Sequence, residues 1–187
     1  YGLDESTGAN LGPATAAWLR YLVVVIAFVS WCWAYRSRNG PRMLPHDSQS
    51  WRYTIWLGLL GTMAYQLLFM HGMKWTAAGD ASLIIPINPV FTVLLAAPML
   101  GQKVTRRMAF GLILGIIGVS AVVGWSPNTD IPFEHRLLGD AMIVLAALAW
   151  ATNSNLTKIA LGKEGMGTTE ELVIWYSIVG WVMLAPW

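Results

Sequence analysis

The chain has 187 residues, 56% of them hydrophobic and only 12% charged, with a mean hydropathy of +0.52 and a formal charge of +2. A soluble domain carries about 25% charged residues, so an ordinary soluble globular protein is excluded. The near-neutral balance argues against a nucleic-acid partner, while eleven Trp and eighteen Gly suit lipid, where Trp gathers at interfaces and Gly is tolerated inside helices.

Six apolar segments are long enough to cross a bilayer, which takes about 20 residues at 1.5 Å rise each. The first runs from Pro13 to Tyr35, with Pro13 where a first-turn proline is harmless. Its lone Cys32 has no disulfide partner and reads as a small buried hydrophobe. After the polar loop RSRNGPRMLPHDSQS, the second spans Trp51 to Met73. The third, Ala77 to Leu100, contains Pro86, Pro89 and Pro98. The fourth runs from Arg107 to Trp125 and the fifth from Leu137 to Leu161; the sixth begins near Glu171. Lipid offers the backbone no hydrogen-bond partners, so these spans are helices, and the predicted class is an all-α polytopic membrane protein.

Basic residues set the orientation. Arg36, Arg38, Arg42 and Arg52 fall in one loop, Lys103, Arg106 and Arg107 two loops on, and Lys158 and Lys163 two loops further. The alternate loops hold only Lys74 and Arg136, a bias of nine to two that puts the loops after the first, third and fifth spans in the cytoplasm and the start of the chain outside. The chain opens at Tyr1 in a polar stretch and stops at Trp187 inside an apolar run. It therefore reads as a fragment, with at least one helix expected upstream.

Pro86 and Pro89 remove backbone donors near the middle of the third span and flank Asn88. A broken helix with an amide at the midplane suits a transporter's substrate site, and equally suits a kink with Asn88 bonding a neighbouring helix. Gly111, Gly115 and Gly118 line one side of the fourth span and read as helix packing. The fifth span carries Trp150, Thr152, Asn153, Ser154, Asn155 and Thr157, a polar patch of which some side chains should face the bundle interior or a cavity. Tyr65 and Gln66, in mid-span, either line a path or act as packing glue.

Ionisable groups within membrane reach are Arg20, His71, Lys74 and Asp80. Arg20 is a functional candidate or a side chain snorkelling to the interface; Asp80 reads as a helix N-terminal anion. His71 reads as a proton relay or as a solvated interfacial residue. G-x-S-x-G, H-E-x-x-H, CxxC and GxxxxGK[ST] motifs are absent, Ser120 has no intramembrane base near it in sequence, and no metal or cofactor is called for.

The stretch MKWTAAGDASLIIPINPVFTVLLAAPMLGQKVTRRMAFGLILGIIGVSAVVG, Met73 to Gly124, resembles the EamA-like group of the drug/metabolite transporter superfamily. It is similar to that family's pattern of a small-residue start, a Pro-containing helix ending in a leucine-glycine-glutamate-lysine-like turn, and a Gly-rich helix. The turn here reads Leu100, Gly101, Gln102, Lys103, with Gln102 in place of the glutamate. LGPATAAWLRYLVVVIA, with Pro13 and Arg20, resembles the family's second helix, and LLGDAMIVLAALAWATNSNLTKIAL the opening helix of its second repeat.

The resemblance implies two inverted five-helix repeats, of which this chain would cover helices two to seven. Residues 1–125 would be most of the first repeat, 126–136 an extracytoplasmic linker, and 137–187 the start of the second. It implies a multi-pass protein of the cytoplasmic membrane, a secondary transporter of small metabolites such as amino acids or drug-like compounds, working by alternating access. Its partners would be a small-molecule substrate and the lipid bilayer, with coupling to protons or another ion, and a homodimer, left open. The substrate path is expected at Asn88, Trp150, Asn153, Tyr65 and Gln66. Other classes remain open: a non-transporting membrane scaffold or sensor, or a membrane-embedded enzyme, for which no nucleophile paired with a base at helical spacing is found.

Overall fold

The computed structural model describes residues 12–39, 47–125, 131–163 and 166–185, and every regular element among them is a helix. Helix α1 (Pro13–Asn39) buries Ala17 and Val25 and leaves Val23 67% exposed, as a helix in lipid or in a larger bundle would. Its Trp18 stacks on Trp181, ring centroids 5.1 Å apart.

Asp47 caps α2 (Ser48–Leu57), its carboxylate accepting from the Ser50 N–H at 2.9 Å. The helix runs through a π-helical segment, Gly58–Ala64, into α3 (Tyr65–Trp75), making one rod from Ser48 to Trp75. The segment sits where neighbours press closest. A Cβ on Gly58 would lie 2.8 Å from the Tyr176 carbonyl oxygen, and one on Gly180 would collide with Thr62. These glycines let two helix backbones meet directly.

The third span is interrupted. Helix α4 (Ala78–Ile84) gives way to a 3-10 turn, Ile85–Ile87, before α5 (Asn88–Leu100). Pro86 and Pro89 lack the N–H groups that would bond residues 82 and 85, so the regular ladder cannot run through. The end of α5 is closed by Gly101 at φ +66°, with the Gln102 N–H donating to the Ala96 carbonyl at 3.4 Å. Helix α6 (Arg106–Trp125) packs lightly beside α4 and α5 and leaves Phe110 and Ile117 exposed.

Helix α7 (Phe133–Leu161) begins four residues before the expected Leu137. Pro132 occupies the N-cap and Glu134 the first turn, where an acid favours the helix dipole. The last residues of the expected 126–136 linker are therefore helical; 126–130 lie outside the described residues. A capping box opens α8 (Thr169–Leu184), the Thr168 hydroxyl accepting from the Glu171 N–H at 3.3 Å and the Glu171 carboxylate from the Thr168 N–H at 3.0 Å.

The rod α2–α3 is central, with α7 along one side and α8 along another. Helix α1 leans on α3 and α8, α4–α5 on α7, and α6 lies outermost. One apolar core gathers Leu57, Ala160, Met166 and Leu172, and a second Ala81, Ile84 and Ile143. Among the described residues, Ser48–Trp75, Gly79–Leu100 and Phe133–Leu161 are long and apolar enough to cross a membrane, and Thr15–Trp31 is a shorter apolar helix.

Candidate functional site

Midway along the bundle, the Tyr65 and Trp150 rings meet with centroids 5.1 Å apart and planes tilted 49°. Phe69, one turn on, stacks on Tyr65 at 5.8 Å. Trp150 is 37% exposed, so this aromatic wall has an open side. Arg20 on α1 is exposed.

Beside the rings lies a buried polar layer. Asn153 rests on the π-helical segment: a Cβ on Gly61 would lie 2.6 Å from its amide carbon. Thr62, Gln66 and Asn153 are all at least 97% buried, yet Thr62 Oγ1, Gln66 Oε1 and Asn153 Oδ1 have no hydrogen-bond partner among the described residues. Buried acceptors of this kind are costly, so their retention points to use.

Asn88 stands elsewhere, half-buried at the start of α5, with its Oδ1 also unpartnered. Its carbonyl accepts from the Thr92 hydroxyl at 2.8 Å, and the Thr92 carbonyl in turn accepts from Asn155 Nδ2 at 2.9 Å. Asn155, fully buried, thus ties α7 to α5. The hydroxyls of Thr152, Ser154 and Thr157 donate to the carbonyls of Leu148, Trp150 and Asn153 on their own helix. Pro86 lines a cavity of about 270 Å³ between α4–α5 and α6, together with Gly115 and Gly118; Pro89 is exposed. Of the three glycines read as packing, Gly115 meets Val90, while a Cβ on Gly111 or Gly118 would find nothing within 4 Å.

At the end of the bundle near the α3–α4 turn lies a set that sequence reasoning missed. The Thr76 hydroxyl donates to Asp140, and Asp80 Oδ2 stands 3.9 Å from Arg136 Nε. Asp140 is 1% exposed, Asp80 5% and Arg136 8%. Arg136, counted above as a loop residue, is instead buried in the first turns of α7. Asp80 does occupy the first turn of α4, and it has this ionic partner as well. The available signal was Arg136 and Asp140 at i and i+4, which shares one helix face. His71 is exposed and its ring nitrogen lies 2.8 Å from the Leu67 carbonyl on its own helix. Among the described residues no three His, Cys, Asp or Glu side chains gather to hold a metal ion.

Comparison with known proteins gives this geometry a family. The model of the EamA-like transporter family matches residues 5–124. A probable terminal-alkyne amino-acid exporter of Streptantibioticus cattleyicolor is 43% identical over 92 residues, 48% of this chain and 28% of the exporter. An uncharacterized transporter of Bacillus subtilis, YyaM, is 30% identical over 95 residues, 51% of this chain and 31% of the relative. A probable amino-acid metabolite efflux pump of Escherichia coli is 28% identical over 102 residues, 54% of this chain and 33% of the pump. No solved structure matches. The chain spans about a third of the length of these relatives. With an all-helical fold among the described residues, long apolar spans and a family model covering well over half its length, the chain belongs to the EamA-like transporter family.

Proposed function

We propose that the full-length protein is a secondary transporter of small amino-acid-like metabolites across the cytoplasmic membrane, working by alternating access between two inverted repeats. Residues 1–125 would belong to the first repeat and 137–187 to the second. The observation that carries this reading is the mid-bundle site: an aromatic pair, Tyr65 and Trp150, beside the unpartnered oxygens of Thr62, Gln66 and Asn153. Aromatic faces suit an apolar body, and acceptors without donors suit a ligand bearing N–H groups. The names of the exporter and efflux-pump relatives support an amino-acid-like cargo. Asn88, at the break between α4 and α5, belongs to the path in this reading.

Flux in liposomes carrying the full-length protein tests it, with an amino-acid panel as probe. Asn88→Leu and Asn153→Leu should leave folded yield intact and raise the apparent substrate constant about tenfold or abolish flux, because a buried partner left unpaired costs about 1–3 kcal/mol. Wild-type kinetics per folded molecule in both variants would remove these amides from the site.

A further inference from the structure

We propose that Thr76, Asp80, Arg136 and Asp140 form a latch that holds one mouth of the transporter shut and parts when that mouth opens. The inference rests on the alternating-access reading above. It starts from where the four side chains lie. Thr76 and Asp80 flank the α3–α4 turn, and Arg136 and Asp140 sit on the opening turns of α7. In the repeat assignment Thr76 and Asp80 belong to the first half and Asp140 to the second, with Arg136 at the end of the linker on the helix that opens the second half, so opening this mouth must pull the pairs apart.

The backbones cross tightly just here. A Cβ on Gly139 would lie 2.7 Å from the Trp75 carbonyl carbon and 2.9 Å from the Gly72 carbonyl oxygen. At the crossing, the Thr76 hydroxyl bonds Asp140 and the Asp80 carboxylate faces the Arg136 guanidinium, all four residues buried. The mid-bundle site lies along the same two helices: Tyr65 is eleven residues from Thr76, and Trp150 ten from Asp140. At 1.5 Å per residue both separations are about 15 Å, so the crossing lies one level along the bundle from the aromatic pair.

Chemistry favours a moving contact over a permanent seal. Burying a charge pair costs desolvation that its attraction barely repays, and apolar residues of equal volume seal a fixed contact at least as well. Charged and hydroxyl groups differ from an apolar seal when the contact opens, because water then solvates each of them. The closed state is specific in register, the open state is wetted without penalty, and the two lie close in free energy. The surrounding ionisable groups, His71 and Lys74 on α3 and Glu134 and His135 on α7, are exposed. His135 meets the edge of Trp75 at 6.1 Å.

The test uses the full-length protein with Cys32→Ser and a reporter, Phe69→Cys, which lies between the latch and Tyr65. A membrane-impermeant thiol reagent is applied to intact cells, and its rate of reaction is read per folded molecule without substrate. The intact latch should give slow labelling. Asp80→Asn and Arg136→Gln should each raise the rate about tenfold, the size of a modest population shift. The exchanged pair Asp80→Arg with Arg136→Asp should bring it back towards the parent. Asp80→Asn removes a charge with no change of shape, so it carries the test where Arg136→Gln fails to fold. Unchanged labelling in folded Asp80→Asn overturns the latch, as does an exchanged pair that labels as fast as the single variants. Because no substrate enters the measurement, unchanged labelling overturns the latch alone when Asp80→Asn with native Phe69 still carries flux.

Discussion

Gly139→Ala puts the packing argument to a quantitative test. The new methyl would lie 2.7 Å from the Trp75 carbonyl carbon, 2.8 Å from the Thr76 nitrogen and 2.9 Å from the Gly72 oxygen. All three are backbone atoms, so no side chain can rotate away. Ordinary contact begins at 3.4 Å, so α3 and α7 must part by about 0.7 Å, the difference between 3.4 and 2.7 Å. A gap of that size forfeits a quarter to a half of each local dispersion contact. Ile143, one turn on and 1% exposed, would lose part of its packing against Ala81 and Ile84. The Thr76–Asp140 hydrogen bond stretches with it. Overpacking costs about 1–3 kcal/mol and a weakened interhelical hydrogen bond about 0.6 kcal/mol, together about 1.6–3.6 kcal/mol. The control is Gly79→Ala, where the same methyl finds nothing within 4 Å. That change should be neutral or stabilising by about 0.4–1 kcal/mol through the unfolded chain. Full-length variants in detergent, heated in steps and scored for soluble monodisperse protein, supply the comparison. If Gly139→Ala survives to the same temperature as Gly79→Ala, the close crossing of α3 and α7 is wrong.

Other substitutions separate structural from functional amides. Asn155→Leu removes the part-buried hydrogen bond that ties α7 to the Thr92 carbonyl, which keeps its own helical partner, and should cost about 0.5–1.5 kcal/mol of stability, with flux per folded molecule unchanged. Gly61→Ala places a methyl 2.6 Å from the Asn153 amide carbon, which can swing aside. Its stability cost should therefore fall below that of Gly139→Ala while flux drops as in Asn153→Leu. Flux at the wild-type level in folded Gly61→Ala would detach the Gly61–Asn153 contact from transport.

Asn153 and Asn155 show where reading the chain alone stops. Both are amides in one polar patch, two residues apart, and nothing local ranks them. At 3.6 residues per turn they point about 200° apart, so one faces the rod α2–α3 and the other α5. The rotation of α7 about its own axis assigns their roles, and that rotation is set by packing. The same holds for the hydroxyls of Thr152, Ser154 and Thr157, which tertiary structure leaves bonded to their own helix. Arg136 was hidden differently: a polar run made it look like loop, and its partner Asp80 is 56 positions away.

Composition and hydropathy by themselves determined the helical membrane class, because backbone groups in lipid must bond within their own segment whatever their neighbours are. Pro86 and Pro89 carried the interruption of the third span for an equally local reason, the missing N–H being a covalent property of proline. The motif from Met73 to Gly124 carried the family. The π-helical segment at Gly58–Ala64 left no such mark, since its glycines acquire meaning only when α8 and Asn153 press against them. The buried set of Thr76, Asp80, Arg136 and Asp140 belongs to the tertiary structure entirely. Burial and pairing are relations between distant segments, and the free energy of a charge depends on what surrounds it after the chain has folded.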